Sequence, residues 1–423
     1  MPHETPLIAT IVIGLSLAFV LGLLAHRLKL PMIAGYLLAG IIIGPFTPGY
    51  VADQDLATEL AEIGVILLMF GVGLHFSLKD LLSVRRIAIP GAIGQILVAT
   101  AAGLALALMM GWSVGAGLIF GLSLSVASTV VLLRALQDRD LVASDRGRIA
   151  VGWLIVEDIV MVLALVLIPP LAGLLGGLAQ PVDGEAEQEV IRLGFGPVTA
   201  TLTVTLVKFA AFVALMLVVG RKLIPWVLHY VAHTGSRELF RLAVLAIALG
   251  VAYGSSQIFG VSFALGAFFA GMVMAGSTLS QQAMRETMPL RDAFAVLFFV
   301  SVGMLFNPTI VLDEPLALIG TVLIILLVKS LAAYAIVRAF GYDKETGLTI
   351  ATSLAQIGEF SFILVVMGTK LAILPPDAKD LVVAGAMISI LANPVMFALL
   401  DRWSARHPRT ASPDPQQTTS EAA

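Results

Sequence analysis

The sequence contains no cysteine and few charged residues, and both scarcities restrict what the protein can be. Without cysteine there is no disulfide, no thiol nucleophile and no cysteine metal site, and only six scattered histidines remain for imidazole chemistry. Charged residues make up 13% of the chain, against roughly 25% in soluble domains. Hydrophobic residues make up 59%, and the mean hydropathy is +0.99. This composition predicts a membrane protein.

Long apolar runs without strand-like alternation predict an all-α membrane protein, because lipid offers backbone groups no hydrogen-bond partners. The first run has no basic start and no cleavage site, so we interpret it as a retained span and not a signal peptide. Charges, proline and glycine delimit thirteen predicted transmembrane helices, near residues 6–25, 31–47, 56–75, 87–110, 113–133, 149–170, 197–219, 238–258, 261–277, 293–307, 316–337, 347–369 and 381–400.

The positions of lysine and arginine support this count, because cytoplasmic loops carry an excess of both residues. Twenty of the 25 basic residues fall in loops on one side. Three, Arg192, Lys370 and Lys379, lie in loops on the other side. The remaining two, Lys208 and Lys329, lie within spans. The asymmetry predicts a multi-pass inner-membrane protein with its N-terminus outside and its C-terminus in the cytoplasm. Residues 403–423 are polar and predict a disordered cytoplasmic tail.

Short segments recur along the chain at a nearly constant spacing. Three groups of residues in the first half match three groups in the second half at almost the same offset, and they include Gly40 with Gly271 and Gly73 with Gly303. The offset pairs spans 1–6 with spans 8–13, which is an odd displacement and therefore predicts an inverted-topology repeat. Within a transmembrane domain of residues 1–402, repeat one covers about 6–172, a linker span about 197–219, and repeat two about 237–402.

The two most polar span interiors occupy equivalent positions in the two repeats. Span 5 contains GLSLSVAST from residue 121, and span 12 contains ATSLAQIGEF from residue 351. Small residues alone would only permit close helix packing, which does not account for Gln356 and Glu359. We therefore predict that helices 5 and 12 are broken and cross each other around a central cavity.

Two adjacent acids, Glu157 and Asp158, lie about halfway along span 6. A charged group at the centre of the bilayer costs about 2.5–3.5 kcal/mol on insertion scales and therefore predicts a functional site. Adjacent helical positions point about 100° apart, so we expect different roles for the two acids. Lys329 lies at similar depth in span 11. Two carboxylates near a buried lysine suit the exchange of a cation for protons, since hard monovalent cations prefer oxygen ligands.

Five segments carry a more specific signal: GRIAVGWLIVEDIVMVLALVL, RELFRLAVLAIALGVAYGSSQIFGVSFALGAFFAGMVMAGS, LFFVSVGML, VKSLAAYAIVRAFG and SLAQIGEFSFIL. Together they resemble the Kef-type members of the monovalent cation:proton antiporter-2 family. The resemblance covers nearly the whole chain to about residue 402. It implies a homodimer whose protomers each have a dimerisation region and a core of crossed broken helices.

The resemblance also implies roles for single residues. Asp158 matches the acid that binds a cation or a proton in turn, and Lys329 matches the core lysine of the family. Glu157 stands where relatives carry either Gln or Asp, which leaves the ion and the charge stoichiometry open. Many Kef-type proteins continue into a cytosolic nucleotide-binding regulator. No G-x-G-x-x-G follows a strand here, so such a domain or subunit would lie outside this sequence.

These observations predict a secondary transporter, not an enzyme, that exchanges a monovalent cation, K⁺ in preference to Na⁺, for H⁺ by alternating access. We expect no cofactor beyond the transported ions, and the lipid bilayer and a second copy of the chain as partners, with no nucleic acid. The predicted ion- and proton-binding residues are Asp158, Glu157, Ser125 and Thr129, and the predicted supporting residues are Lys329, Glu359, Gln356 and Ser353.

Three other functions fit the same residues less well. An ion channel would need no single buried titratable acid. An inverted-repeat symporter of an organic solute would need a larger cavity with cationic or amide anchors. An intramembrane aspartyl protease would need two facing aspartates on different spans. The predicted site favours antiport over all three.

Overall fold

The computed structural model describes residues 6–28, 30–75, 78–142, 144–178, 191 and 196–406, and its regular elements in this part of the chain are all helices. The predicted all-α class is therefore confirmed. The α-helices are α1 Pro6–Arg27, α2 Met32–Ile43, α3 Gln54–His75, α4 Leu78–Met109, α5 Val114–Leu124, α6 Thr129–Gln137, α7 Asp145–Leu171, α8 Pro197–Leu215, α9 Arg221–Ala232, α10 Arg237–Phe259, α11 Phe263–Ala275, α12 Ser280–Met304, α13 Ile310–Asp313, α14 Pro315–Leu323, α15 Lys329–Ala339, α16 Lys344–Leu354, α17 Glu359–Lys370 and α18 Pro376–Arg406. Two π-helical turns, Met216–Gly220 and Ile324–Val328, join α8 to α9 and α14 to α15.

The helices have the length and composition of a polytopic membrane protein. Among the described residues, nine helices are long and apolar enough to cross a membrane, or ten if the bent pair α16 and α17 forms one span. Three further apolar helices, α2, α5 and α11, are shorter. Every apolar segment that the sequence predicts as a span contains a helix here, and the segments 113–133 and 347–369 are each interrupted within the helical run. Many apolar side chains on the outer helices, such as Phe19 on α1 and Trp226 on α9, are exposed, as expected of surfaces in lipid.

Side-chain caps explain where several helices begin. The first N–H groups of a helix have no partner within it, and an oxygen from the preceding residue can accept from them. Ser113 accepts from the N–H of Ala116 at the start of α5, and Asp343 accepts from the N–H of Thr346 at the start of α16. The two capping residues are separated by the same offset as the segments of the sequence repeat.

The two halves of the chain pack together through two glycine contacts with matching positions. A Cβ on Gly40 of α2 would lie 2.8 Å from the Cα of Gly303 on α12, and a Cβ on Gly73 of α3 would lie 3.1 Å from the Cα of Gly271 on α11. Gly40 corresponds to Gly271 and Gly73 to Gly303 at the repeat offset. The two contacts therefore join positions that match at the offset found in the sequence, and each needs glycine because the backbones approach closely.

Two predicted boundaries differ from the helices observed. The predicted linker span ends near residue 219, whereas the helix continues through a π-turn to Ala232. Charged residues at 221 and 222 end the apolar run, but an amphipathic helix can continue beyond it. Helix α18 likewise extends to Arg406, beyond the predicted start of the tail at 403. Residues 407–423 of that tail, and residues 179–190 and 192–195 of the long connection, lie outside the described residues.

Candidate ion-binding site

Two helix breaks contact each other inside the protein. The first break, residues 125–128, separates α5 from α6, and the second break, residues 355–358, separates α16 from α17, which are bent by 43°. Ser128 N–H donates to Gln356 Oε1 over 2.8 Å, and Gln356 Nε2 donates to the Ser128 carbonyl over 3.1 Å. The Ser128 N–H, which has no helical partner among the described residues, needs an acceptor in a dry interior, and Gln356 supplies it. The Ser128 carbonyl accepts from the Leu132 N–H as well as from Gln356.

Glycine and lysine complete the second break. A Cβ on Gly358 would lie 2.5 Å from the Cα of Ser128, so only glycine admits the close approach of the two breaks. Lys329, at the start of α15, is fully buried, and its Nζ donates to the Gln356 carbonyl over 2.9 Å. A charged donor thus satisfies a backbone carbonyl that the break has freed.

The adjacent acids of α7 face the first break and have different partners. Glu157 is 0% exposed and accepts from the N–H of Ala127 at Oε2 over 2.8 Å. Asp158 is 5% exposed, and its Oδ2 accepts from Thr129 Oγ1 over 3.4 Å. The second oxygen of each carboxylate, Oε1 of Glu157 and Oδ1 of Asp158, is buried and has no hydrogen-bond partner.

These two unpartnered oxygens define what the site can do. A buried acceptor without a donor is unfavourable, and a buried charge without compensation more so. A proton or a cation bound at the free oxygen removes both costs, and one oxygen cannot hold both at once. Among the described residues, no group of three or more His, Cys, Asp or Glu residues is placed to hold a metal ion. A free carboxylate oxygen of this kind can take up a proton or a hard cation.

A third acid, Glu359, begins α17 directly after the second break. It is buried, and its Oε2 accepts from Ser128 Oγ over 3.2 Å. An acid in the first turn of a helix is favourably placed in the field of the helix dipole. Glu359 therefore joins the second repeat to the first break through Ser128, which the sequence did not single out.

The remaining predicted residues lie near the breaks but use their side chains elsewhere. The hydroxyl of Ser125 donates to the Leu122 carbonyl over 2.7 Å, and that of Ser353 donates to the Thr349 carbonyl over 2.7 Å. Serine near a helix end commonly bonds back to the preceding turn in this way. The ammonium group of Lys329 donates to the Gln356 carbonyl, and in the described part of the chain it forms no direct ion pair with Glu157.

Two further buried residues, both amides, belong to the site and were not predicted. Gln95 of α4 donates to the Ser125 carbonyl over 2.9 Å and accepts from Trp153 Nε1 over 3.3 Å. Asn393 of α18 donates to the Thr352 carbonyl over 2.8 Å. Both amides stand alone in apolar runs of the sequence. An isolated polar residue within a predicted span was the signal that could have identified them.

Buried carboxylates with free oxygens, placed beside two contacting helix breaks in a polytopic membrane protein, define an ion-coupled membrane transporter and not an enzyme. The chain matches the family of transmembrane sodium/hydrogen exchangers over residues 15–402 and belongs to that family. This confirms the family resemblance of the sequence, and with it the class of cation/proton antiporters.

Individual relatives agree with the family. The chain is 59% identical over 406 residues to the putative cation/proton antiporter YbaL of Escherichia coli (strain K12), covering 96% of this chain and 70% of YbaL. It is 33% identical over 372 residues to K(+) efflux antiporter 4 of Arabidopsis thaliana, covering 88% of this chain and 60% of that protein.

A solved structure supports the fold. The sodium proton antiporter MjNhaP1 of Methanocaldococcus jannaschii superimposes with a TM-score of 0.69, covering 94% of this chain and 98% of that one. The two sequences are 16% identical. The likeness therefore establishes an MjNhaP1-like fold.

Proposed function

We propose that this protein exchanges a monovalent cation, K⁺ in preference to Na⁺, for H⁺ at Asp158. The observation that carries the proposal is the free, buried Oδ1 of Asp158 beside the first break. The preference for K⁺ is supported by relatives that are named K(+) efflux antiporters.

Competition for a single carboxylate accounts for the coupling. A cation at Asp158 requires the ionised carboxylate, and a proton neutralises it, so the two ligands exclude each other without a separate gate. Thr129 supplies the hydroxyl that contacts Asp158 and completes the shell together with backbone carbonyls of the break. Glu157 is a second acid beside the site, and its charge decides how much net charge crosses in a cycle.

The transport cycle uses an inverted repeat of thirteen spans. Counting the three short helices and treating each broken pair as one span gives thirteen, in agreement with the apolar segments of the sequence. Helices α5 and α16 begin at Val114 and Lys344, and α7 and α18 begin at Asp145 and Pro376, so both pairs keep the offset of the sequence repeat. Helices 5 and 12 then cross at their breaks, and the core that carries Asp158 moves against the rest of the protein to alternate access.

The proposed orientation in the membrane rests on the positions of the basic residues, and the proposed oligomeric state rests on the family. The N-terminus lies outside the cell membrane and the C-terminus in the cytoplasm, because the basic residues cluster on one side. The working unit is a homodimer in the bilayer, and a regulatory domain or subunit would act from the cytoplasm.

A substitution at Asp158 tests the proposal. Purified protein in liposomes is expected to move protons when K⁺ or Na⁺ is added, and Asp158→Asn is expected to reduce that movement to the level of empty liposomes while the protein stays folded. The amide keeps the shape and cannot take up a proton. Asp380→Asn is a matched control, because Asp380 is another buried acid whose Oδ1 accepts only from the Asn307 N–H, which an amide oxygen can replace.

The outcomes separate the candidate functions. Normal exchange by Asp158→Asn would overturn the assignment of the site. Cation flux without proton movement in the native protein would indicate a channel. Repeating the assay with and without a clamped membrane potential measures the net charge of each cycle.

A further inference from the structure

We infer that Gln95 is a positioning residue of the transport site, because its hydrogen bonds to Ser125 and Trp153 fix the first break against α7. The inference rests on the proposed exchange function and deepens it. Gln95 is fully buried in α4, on a helix that contributes no acid to the site. Its effect on transport is therefore exerted through the residues that it holds.

Elementary chemistry determines the orientation of the Gln95 amide. The indole N–H of Trp153 can only donate, so the atom of Gln95 that faces it must be the oxygen. The amide nitrogen then faces the Ser125 carbonyl, which can only accept. Neither contact remains if the amide is turned over. The side chain is thus held in one orientation by two partners of opposite character.

These contacts close a ring that includes Glu157. Ser125 is two residues before Ala127, whose N–H donates to Glu157 Oε2. Trp153 is one helical turn before Glu157 on α7. Gln95 therefore joins the break to α7 from one side, and the Ala127–Glu157 hydrogen bond joins them from the other.

The packing around Trp153 supports the contact between Trp153 and Gln95. Gly91 lies one turn before Gln95 on α4, and a Cβ there would lie 2.9 Å from Cε3 of the indole ring. The absent side chain leaves room for the fully buried indole against α4. The indole N–H of Trp153 therefore lies within hydrogen-bonding distance of Gln95.

Loss of the Gln95 amide has a predictable local effect. Two buried polar groups, the Ser125 carbonyl and the Trp153 N–H, would lose the Gln95 amide as a partner in the interior of a membrane protein. In the part of the chain that the structure describes, the Ser125 carbonyl accepts from no backbone N–H, so this part of the first break would move to satisfy it. The Ala127 N–H would then leave Glu157, and the balance between proton and cation at the acid pair would change.

Exchange assays on Gln95 variants test this role. We expect Gln95→Leu, which keeps the volume and removes both hydrogen bonds, to slow cation-driven proton movement by about tenfold, since small misplacements of a site have effects of this size. Thr100→Val on the same helix is the control, because the Thr100 hydroxyl has no hydrogen-bond partner to lose. It is expected to exchange at the native rate.

The conservative variant Gln95→Glu provides a readout that a purely structural role would not affect. Its introduced carboxyl accepts from Trp153 at any pH but donates to the Ser125 carbonyl only when protonated. The ratio of its exchange rate to the native rate is therefore expected to rise as the pH falls. Trp153→Phe removes the second contact, and the double variant with Gln95→Leu is expected to be no slower than Gln95→Leu alone.

Each outcome bears on one claim. An inactive native protein would remove the proposed function itself. An active native protein together with folded, fully active Gln95→Leu would overturn only the role of Gln95. A Gln95→Glu variant whose relative rate is the same at every pH would also overturn it. If Gln95→Leu does not fold, the pH dependence of Gln95→Glu decides.

Discussion

At the scale of single residues, the site depends on which oxygen has a partner. Glu157 and Asp158 are neighbours in the sequence, yet Glu157 accepts from a backbone N–H and Asp158 from the Thr129 hydroxyl. Their separate surroundings follow from helical geometry, which the sequence already predicts. The partner of Lys329 did not follow in the same way, because the carbonyl of Gln356 becomes available only at a break that tertiary packing forms.

Removal of the buried ammonium group should destabilise the protein. Lys329→Met leaves the Gln356 carbonyl without its donor and Glu157 without a positive neighbour. We expect a loss of about 2–3 kcal/mol, as for a charged hydrogen bond, visible as a lower unfolding midpoint in detergent. The double variant with Lys329→Met and Glu157→Gln should recover part of the lost stability. An unchanged midpoint for Lys329→Met alone would contradict this role.

At the scale of helices, glycine determines how closely the two halves of the chain approach. Gly358 sits against Ser128 where the breaks meet, and its backbone is extended, a conformation that any residue adopts. Its requirement is therefore steric. The sequence shows the glycine and the polar neighbours in ATSLAQIGEF but does not show that the two segments touch, because the contact joins residues from opposite halves of the chain.

Alanine at position 358 should separate the two breaks. The added methyl group would overlap the backbone of Ser128, and overpacking of this kind costs about 1–3 kcal/mol. We expect Gly358→Ala to lower the unfolding midpoint and to slow exchange. Gly254→Ala on α10 is the matched control, since a Cβ there meets nothing within 4 Å and alanine favours helix. Equal behaviour of the two variants would refute the steric explanation.

At the scale of the whole molecule, the number of spans depends on how short helices are counted. By length and composition alone, nine or ten helices cross a membrane in the described part of the chain, against thirteen predicted from apolar segments. The difference comes from α2, α5 and α11, which have 12, 11 and 13 residues. Helices α2 and α11 pack closely against long helices through glycine.

The orientation of the chain can be tested directly because the sequence has no cysteine. Single cysteines introduced at Tyr50, between α2 and α3, and at Thr234, between α9 and α10, would both be exposed. A membrane-impermeant thiol reagent added to intact cells labels an introduced cysteine only if its loop is external. The predicted topology has thirteen spans and an external N-terminus. Span 2 returns the chain to the outside, so Tyr50→Cys should react, whereas Thr234→Cys should react after the membrane is permeabilised. The reverse pattern would overturn the predicted topology.

The sequence by itself determined the helical membrane class, the family, the recurring segments and the acids, because hydropathy, charge asymmetry and residue identity are local properties. Tertiary structure alone decided which groups meet. It placed Gln356 on Ser128, Lys329 on a freed carbonyl, and Gln95 between Trp153 and Ser125. The physical reason is that a buried polar group takes whichever partner the packing brings within about 3 Å. Packing joins residues that are far apart in the sequence.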